Sequence, residues 1–306
     1  EAQVDDLVAI NARHRECGYE SELVTGEGQC SEYLEFTWPD WEAPVAALLH
    51  ERRGGWADPA RTVRRLAELA RAAGAEIAEG VEVTGIERGE GGVEALATSR
   101  GRIRCEQVVL APGPWAEGVL GMLGGDWPEI SYLKAQEGEF ELRGAAAGPS
   151  AGGEPPVVHL DQPGPLRSDA GGEILVDGPW GIYFRVGAGG ASVTGGGLPV
   201  PLSAPELDPY GPDNPEHAAG DEFAEFFTSG LATAIGRFRG HAGDWRTTLA
   251  GGIVSHTPDN YPICDWVAPN AYAIVDSGHG FKLLALARLA ADELLGDEPT
   301  PEPFRP

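Results

Sequence analysis

Apolar positions near the end of the chain follow first an extended and then a helical pattern. Residues 272–275 form a short apolar run that predicts a strand. From Phe281 onward apolar residues recur at helical spacing, and Gly296 ends the predicted helix. Between them lies a turn made of Ser277, Gly278, His279 and Gly280. A strand, a turn and a helix start in this order direct free backbone N–H groups at one spot, which suits an anionic or electron-rich ligand.

Four further helices are predicted from spacing and capping residues. The clearest has Asp58 as its N-cap and Pro59 in its first turn, and Gly74 ends it. Its apolar stripe is expected to be buried and consists of Val63, Leu66, Ala67, Ala70 and Ala73. The other predicted helices are residues 4–17, 43–50 and 221–235, whereas residues 20–41 are expected to be mostly loop.

Strand patterns fall into two groups. Residues 108–111 are wholly apolar, as expected for the middle of a covered parallel sheet. Strands are predicted before them at residues 75–77 and 81–86, and as a hairpin at 93–98 and 102–106. Later strands are short and separated by glycines, which indicates an antiparallel sheet. These later segments are residues 136–142, 157–160, 173–176, 181–186 and 191–194, and residues 245–253 lead back towards the C-terminal stretch.

Together the elements predict an α/β fold of two bodies whose segments alternate along the chain. One body is a doubly wound nucleotide-binding domain formed by residues 54–125 and 251–306. The other is a substrate domain with an antiparallel sheet, formed by residues 126–250 with a helical part in residues 1–53.

Charge is the most informative feature of the composition. The 48 acidic residues outnumber the 22 basic ones and leave a net charge of −26. Such a surface repels nucleic acid and anionic membranes. It also suits a protein from a high-salt environment, where screening weakens self-repulsion, so a halophilic source is a hypothesis. No run of apolar residues is long enough to predict a transmembrane helix.

The four cysteines show no metal-binding or redox spacing. They are Cys17, Cys30, Cys105 and Cys264, and none forms a Cys-x-x-Cys pair. We expect reduced, mostly buried thiols, no metal site and a cytoplasmic location.

The C-terminal stretch resembles the flavin-binding segment of the D-amino-acid-oxidase/sarcosine-oxidase family of FAD-dependent oxidoreductases. In that family a Thr-Pro-Asp-x-x-Pro-Ile run precedes a strand, and a Gly-His-Gly-Phe-Lys turn opens the last helix. Residues 257–263 and 278–282 match these runs, although the stretch alone also fits an ordinary βα connection. The resemblance implies FAD contacts from Asp259, Ser277, Gly278, His279, Gly280, Phe281 and Lys282.

A second block, residues 55–115, resembles the same family. There a Gly-x-x-Asp-Pro helix leads to strands and a small meander, and a strand ending in Val-Val-x-Ala-x-Gly-x-Trp passes the cofactor. The resemblance implies that Val83 lies against the adenine; without it, Val83 is an ordinary strand residue and Trp115 an ordinary core residue. It also implies contacts to the ribose and pyrophosphate from Ala111, Pro112, Gly113 and Trp115.

The phosphate-binding turn of such a domain, G-x-G-x-x-G between a strand and a helix, is not found in this sequence. The glycine clusters at residues 187–189 and 195–197 lack that context. Because the first residue is Glu1 rather than Met and no stop is visible at the end, we interpret the chain as a fragment or a processed form. The missing turn is then explained by absence of the N-terminal βαβ unit. The fragment alone is then expected to be inactive and to bind FAD weakly or not at all.

Four side chains are candidates for chemistry. In sarcosine-oxidase-like members the residue matching Lys282 meets the flavin and the substrate carboxylate, and the alternative is a solvated helix lysine. Tyr183 and Arg185 lie two apart on a predicted strand and therefore share a face, where they form either a carboxylate clamp or a plain surface pair. His256 precedes the 257–263 run and either lines the site or is a loop histidine.

Two departures from the sarcosine-oxidase pattern shape the expected chemistry. Residues 250–255 contain no cysteine where those enzymes attach flavin, so FAD is expected to be non-covalent. Residues 190–194 contain no lysine where they activate oxygen, so an electron carrier is expected as acceptor, with O2 as the alternative.

The expected function is flavin-dependent dehydrogenation of the C–N bond of an amino acid or N-methylated amine. The alternatives are dehydrogenation of a hydroxy acid or glycerol phosphate, and a non-catalytic accessory subunit of the same fold. The substrate is then a small molecule, and the sequence is compatible with an oligomer.

Overall fold

The computed structural model describes residues 2–143, 156–187, 192–203, 218–278, 280, 283–296 and 298–305. Contacts divide the chain into two compact units, each assembled from three segments. The first unit comprises Glu1–Asp58, Gln136–Leu198 and Ala218–Gly251, and the second comprises Pro59–Ala135, Pro199–His217 and Gly252–Pro306. Each unit has a hydrophobic core of its own, as separately organised domains do.

The described residues confirm the predicted mixture of helices and strands. The helices are α1 (Ala2–Glu16), α2 (Glu27–Thr37), α3 (Pro59–Ala72), α4 (Ala116–Gly121), α5 (Asp221–Ala234) and α6 (Leu283–Leu294). The strands are β1 (Ser21–Thr25), β2 (Ala47–Glu51), β3 (Val83–Gly89), β4 (Gly92–Thr98), β5 (Gly101–Arg104), β6 (Val108–Leu110), β7 (Ser131–Leu142), β8 (Val158–Gln162), β9 (Leu166–Arg167), β10 (Ile174–Val176), β11 (Trp180–Val186), β12 (Ser192–Gly197), β13 (Val200–Leu202), β14 (Trp245–His256), β15 (Ile263–Ala268) and β16 (Ala271–Val275).

An antiparallel sheet is the centre of the first unit, as the glycine-separated strands predicted. Strands β7, β12, β11 and β8 are neighbours in that order, and β14 also pairs with β7. Helix α5 packs on one face of this sheet, where the Phe140 and Phe227 rings stack at 4.4 Å between centroids. A Cβ on Gly195 would overlap the ring of Phe227. Glycine in β12 therefore lets α5 lie close to the strand.

The N-terminal part of the first unit contains a hairpin that local patterns did not predict. Helix α1 and its end at Gly18 (φ 69°) are confirmed. However, β1 and α2 occupy the predicted loop, and β2 occupies the second half of the predicted helix at residues 43–50. Leu48 and Leu49 favour a helix locally, but β2 pairs with β1 along its whole length. Cross-strand pairing overrides the local preference here.

The second unit contains a parallel strand pair, but the prediction that residues 108–111 lie in the middle of a covered sheet is wrong: among the described strands β6 is at an edge, and Val109 is 44% exposed. Strand β16 lies between β15, which is antiparallel to it, and β6, which is parallel to it. Strands β3, β4 and β5 form a separate antiparallel sheet that includes the predicted hairpin. Helix α6 is confirmed, but Leu286 and Ala290 carry its buried side, together with Cys264 and Tyr272 of the strands.

Helix α3 is confirmed as an element, but the prediction that its apolar stripe is buried is wrong. Val63 and Leu66 of that stripe are 64% and 46% exposed, and no described residue of the helix is buried. Leu69, which was not part of the predicted stripe, is 49% exposed. The strand predicted at residues 75–77 is also absent, and these residues are exposed. Amphipathic spacing identifies an apolar face but not what covers it, and an extended run becomes a strand only through pairing that local residues do not specify.

All four cysteines are free thiols, as expected. Cys30 and Cys264 are buried, Cys105 is partly buried and Cys17 is exposed. Burial and the nearby Glu293 carboxylate raise the pKa of Cys264 to about 11. The thiol of Cys264 is therefore neutral at physiological pH.

Candidate functional site

The carboxyl ends of β6 and β16 place two predicted cofactor segments at one edge of a sheet. The two strands are parallel neighbours, with Val109 opposite Tyr272 and Leu110 opposite Ala273. Residues 111–115 and 276–280 follow directly after them. Ligands of open α/β sheets bind beyond the carboxyl ends of parallel strands, so this edge is the candidate cofactor site.

The segment after β6 turns sharply at a glycine. Ala111 and Pro112 lead into a single 3₁₀ turn, Gly113–Trp115, in which Gly113 has φ 58°. A Cβ on Gly113 would meet no atom within 4 Å, so open space flanks this backbone. The Trp115 side chain is partly exposed, and α4 follows immediately. The structure thus leaves the backbone of this turn open to a ligand.

A second turn, before β15, is held by buried hydroxyl groups. The Thr257 backbone N–H donates to Ser277 Oγ at 3.1 Å, and the two hydroxyl oxygens are 2.9 Å apart. The Thr257 hydroxyl also lies 2.7 Å from the carbonyl oxygen of Tyr261. The Asp259 carboxylate accepts the Tyr261 N–H at 2.9 Å, and Asn260 has φ 62°. Thr257 and Ser277 therefore join the turn to the end of β16, and the Asp259 carboxylate holds the turn itself.

His256 lies against the glycine turn that follows β16. Gly278 has φ 68°, and a Cβ there would overlap the His256 imidazole. His256 Nδ1 lies 3.3 Å from Asn260 Oδ1. The structure therefore brings His256 to the predicted cofactor turn, a contact that sequence order alone did not establish. Gly280 also has a positive φ of 52° and open space beside it.

Some predicted residues are not at this edge or are not described. His279, Phe281 and Lys282 lie outside the described residues. Val83 opens β3, opposite Thr98, in the separate three-stranded sheet. Its predicted contact with an adenine stays a prediction.

The candidate substrate residues lie on the sheet face of the first unit opposite α5. Phe184 faces the core with α5, so its neighbours Tyr183 and Arg185 point to the other face. Tyr183 lies opposite Gly196, and Gly196 lies opposite Glu137 on the next strand. Burial and a hydrogen bond to Glu137 raise the pKa of Tyr183, which stays a neutral donor. The His159 ring stacks on Tyr183 at 5.4 Å.

The guanidinium of Arg185 contacts an aromatic ring. It lies 3.7 Å from the centroid of the Trp56 ring. Arg185 stands opposite Thr194, which stands opposite Glu139. Sequence reasoning did not predict Trp56, Glu137 or His159 as members of this face. The alternation of side chains along the strand could have identified Glu137, whereas no local sequence signal could have identified Trp56.

Among the described residues, no group of three or more His, Cys, Asp or Glu side chains is arranged to hold a metal ion. No helix in the described part of the chain combines the length and apolarity needed to cross a bilayer.

Comparison with known families identifies the class of protein. The family described as "FAD dependent oxidoreductase" (DAO) matches residues 1–293. The chain belongs to this family, as the resemblance predicted.

The similar solved structures agree with the fold. L-proline dehydrogenase from P. horikoshii has a TM-score of 0.74 at 19% identity, covering 99% of this chain and 73% of that one. L-amino acid deaminase from Proteus vulgaris has a TM-score of 0.72 at 19% identity (99% and 74% covered). Glycine oxidase from Geobacillus kaustophilus has a TM-score of 0.70 at 18% identity (100% and 71% covered). The predicted fold class is confirmed.

A curated relative matches part of the chain. The bifunctional protein ThiO/ThiG from Nostoc sp. is 28% identical over 138 residues, which are 39% of this chain. The match covers 21% of that relative's length.

The described residues fit a bound dinucleotide. Gly113 and Gly280 expose backbone next to open space, whereas the His256 ring occupies the place that a Cβ of Gly278 would take. Close approach of a ligand to bare backbone is what a pyrophosphate requires. The edge formed by these glycines is therefore suited to FAD.

Proposed function

We propose that the complete protein is an FAD-dependent oxidoreductase that dehydrogenates the C–N bond of an amino acid or N-methylated amine. Membership of the DAO family supports the flavin. The names of three similar structures, a proline dehydrogenase, an amino acid deaminase and a glycine oxidase, support an amino acid as substrate.

On the cofactor side, the segments at the carboxyl edge of β6 and β16 would hold FAD. Ala111, Pro112, Gly113 and Trp115 are the proposed contacts after β6, and residues 277–282 are those after β16. Bound FAD would supply the acceptor for a hydride from the substrate carbon. Lys282 is proposed to place a positive charge near the flavin. His256 is proposed to line the cofactor site beside the glycine turn that follows β16. Because residues 250–255 contain no cysteine, the flavin is proposed to be non-covalent.

On the substrate side, the proposal rests on the environment of the Arg185 guanidinium. The chain has 48 acidic residues, yet among the described residues no ion pair joins Arg185 to a carboxylate. A guanidinium offers several N–H donors in a planar fork that matches a carboxylate. The neighbouring Tyr183 hydroxyl is a neutral hydrogen-bonding group on the same face. We propose that the Arg185 guanidinium binds the substrate carboxylate and that Tyr183, whose hydroxyl proton is donated to Glu137, lies beside it in the same site.

The first test is whether the complete product of the gene binds flavin. We expect a yellow protein with absorbance near ~450 nm, whose colour is released by acid precipitation. An amino-acid panel should bleach the flavin anaerobically, and slow reoxidation in air would support an electron carrier as acceptor. A protein that purifies colourless and takes up no added FAD would contradict the proposal. Bleaching only by hydroxy acids would contradict the C–N assignment.

The second test concerns Arg185. Arg185→Met removes the charge-assisted hydrogen bonds, so we expect kcat/KM for a carboxylate-bearing substrate to fall about 10- to 150-fold. Arg246→Met, at a strongly exposed arginine on β14, is the control and should change kcat/KM little. If the two substitutions change kcat/KM equally, Arg185 does not bind the substrate carboxylate.

A further inference from the structure

Trp56 is the aromatic partner of the Arg185 guanidinium. It lies in the short segment between β2 and α3, after Gly54 and Gly55, and its side chain is 47% exposed. The 3.7 Å separation between the guanidinium carbon and the ring centroid is well within the range of cation–π attraction. The ring therefore restrains a long, flexible side chain from one side.

The carboxylates nearest to Arg185 in the strand register have other partners. Glu139 accepts a hydrogen bond from Ser192 Oγ at 2.8 Å. Glu137 is hydrogen-bonded to the Tyr183 hydroxyl. Both carboxylates thus engage hydroxyl groups on this face, whereas Arg185 contacts an indole.

An aromatic anchor has a different consequence from a carboxylate anchor. A carboxylate held against Arg185 would take its N–H donors and cancel its charge, so it would compete with an anionic ligand. An indole face attracts the cation without accepting those hydrogen bonds. The guanidinium is therefore held in place while its donor edge stays available.

We propose that Trp56 is a positioning residue that presents Arg185 to a carboxylate ligand and so sets the preference for carboxylates over neutral analogues. The inference rests on the proposed substrate role of Arg185. It adds a residue that acts on the ligand only through Arg185. The expected ligand is a small monocarboxylate, and the corresponding amide is expected to bind poorly.

The experiment is calorimetric titration of the complete gene product with benzoate, and with benzamide as the neutral isostere. Trp56→Leu should weaken benzoate binding about 2- to 30-fold, the range that cation–π energies give. Trp56→Phe keeps an aromatic face and should retain most of the affinity. Phe36→Leu, at a surface aromatic that is 88% exposed, is the matched control and should change nothing. Benzamide binding should be weak and insensitive to all three substitutions.

The outcomes separate this inference from the proposed function. If Arg185→Met abolishes benzoate binding and Trp56→Leu does not affect it, Trp56 has no positioning role and the substrate role of Arg185 stands. If benzoate binding depends on both residues but no amino acid bleaches the flavin, the positioning role stands and the proposed reaction fails. If the unsubstituted protein does not bind benzoate, or binds benzamide equally well, the inference is wrong. Circular dichroism of each variant should match that of the unsubstituted protein.

Discussion

Tyr272 is fully buried, and its hydroxyl joins two polar groups near the C-terminus. It lies 2.9 Å from both Glu293 Oε2 and Thr300 Oγ1. The Thr300 N–H donates to the same carboxylate oxygen at 3.1 Å, and Arg305 donates to the other oxygen at 2.9 Å. One carboxylate on α6 thus binds the strand in front of it and the chain segment that follows it.

Glu293 should make stability depend on pH. Burial opposes its ionisation, but hydrogen bonds from Thr300 and Tyr272 and the charge of Arg305 outweigh this, so the pKa of Glu293 is lowered. A lowered carboxyl pKa stabilises the fold above the unfolded-state value of about 4.3, and that contribution is lost as the pH falls. We expect Glu293→Gln to cost about 1–3 kcal/mol of unfolding free energy at pH 7 and progressively less below pH ~4.

Urea unfolding of the two proteins at several pH values measures this difference. Glu298→Gln, at an exposed position outside the cluster, is the control and should leave the curve unchanged. A Glu293→Gln difference that stays constant from pH 7 to pH 3 would contradict the assignment.

At the scale of elements, β12 shows why a glycine run can belong to a sheet. Gly195 and Gly197 face α5, where Cβ atoms would overlap Phe227 and Phe226, and Gly196 faces the Tyr183 ring. This confirms that residues 195–197 are not a phosphate-binding turn. Their function is to bring a helix and a tyrosine close to opposite sides of one strand.

Gly195→Ala should therefore destabilise the protein, by about 1–3 kcal/mol, because the added methyl group would overlap both the backbone carbonyl oxygen of Tyr183 and the ring of Phe227. Gly118→Ala is the matched control, since Gly118 lies in α4 with no atom near its Cβ position. That control should be neutral or stabilising by up to ~1 kcal/mol. Thermal unfolding of both variants measures the contrast, and equal melting temperatures would refute the packing argument.

Elements with their own start and stop signals were predictable from sequence. Helix α3 begins at Pro59 and the chain turns at Gly74 (φ 95°), as the capping residues indicated. Strand β2 was not predictable, because Leu48 and Leu49 become strand residues only through pairing with β1. The prediction that the apolar stripe of α3 is buried was wrong for a related reason. Amphipathic spacing identifies an apolar face but not what covers it.

The candidate site was predictable to the extent that it follows one stretch of chain. The turns after β6 and β16 were recognised from local residues, and their common edge follows from parallel pairing. The contact between Trp56 and Arg185 joins segments far apart in sequence, so no local sequence pattern predicts it. The position of His256 beside Gly278 depends likewise on how β14 ends relative to β16.

At the scale of the whole molecule, net charge should govern the response to salt. A charge of −26 on 306 residues is self-repelling in dilute buffer, and salt shortens the range of that repulsion to about 3 Å at 1 M. We expect the melting temperature to rise between dilute buffer and molar KCl. A melting temperature that does not rise would remove the halophile hypothesis.

The bare apolar side of α3 has a practical consequence for anyone handling this chain. Leu66 and Leu69 face water on the helix, and Val109 is exposed on β6, which pairs with β16 alone among the described strands. An exposed hydrophobic surface and an unpaired strand edge together favour self-association. We therefore expect residues 1–306 to aggregate as the protein concentration rises and to bind hydrophobic dyes. The high content of acidic residues alone would suggest a highly soluble protein.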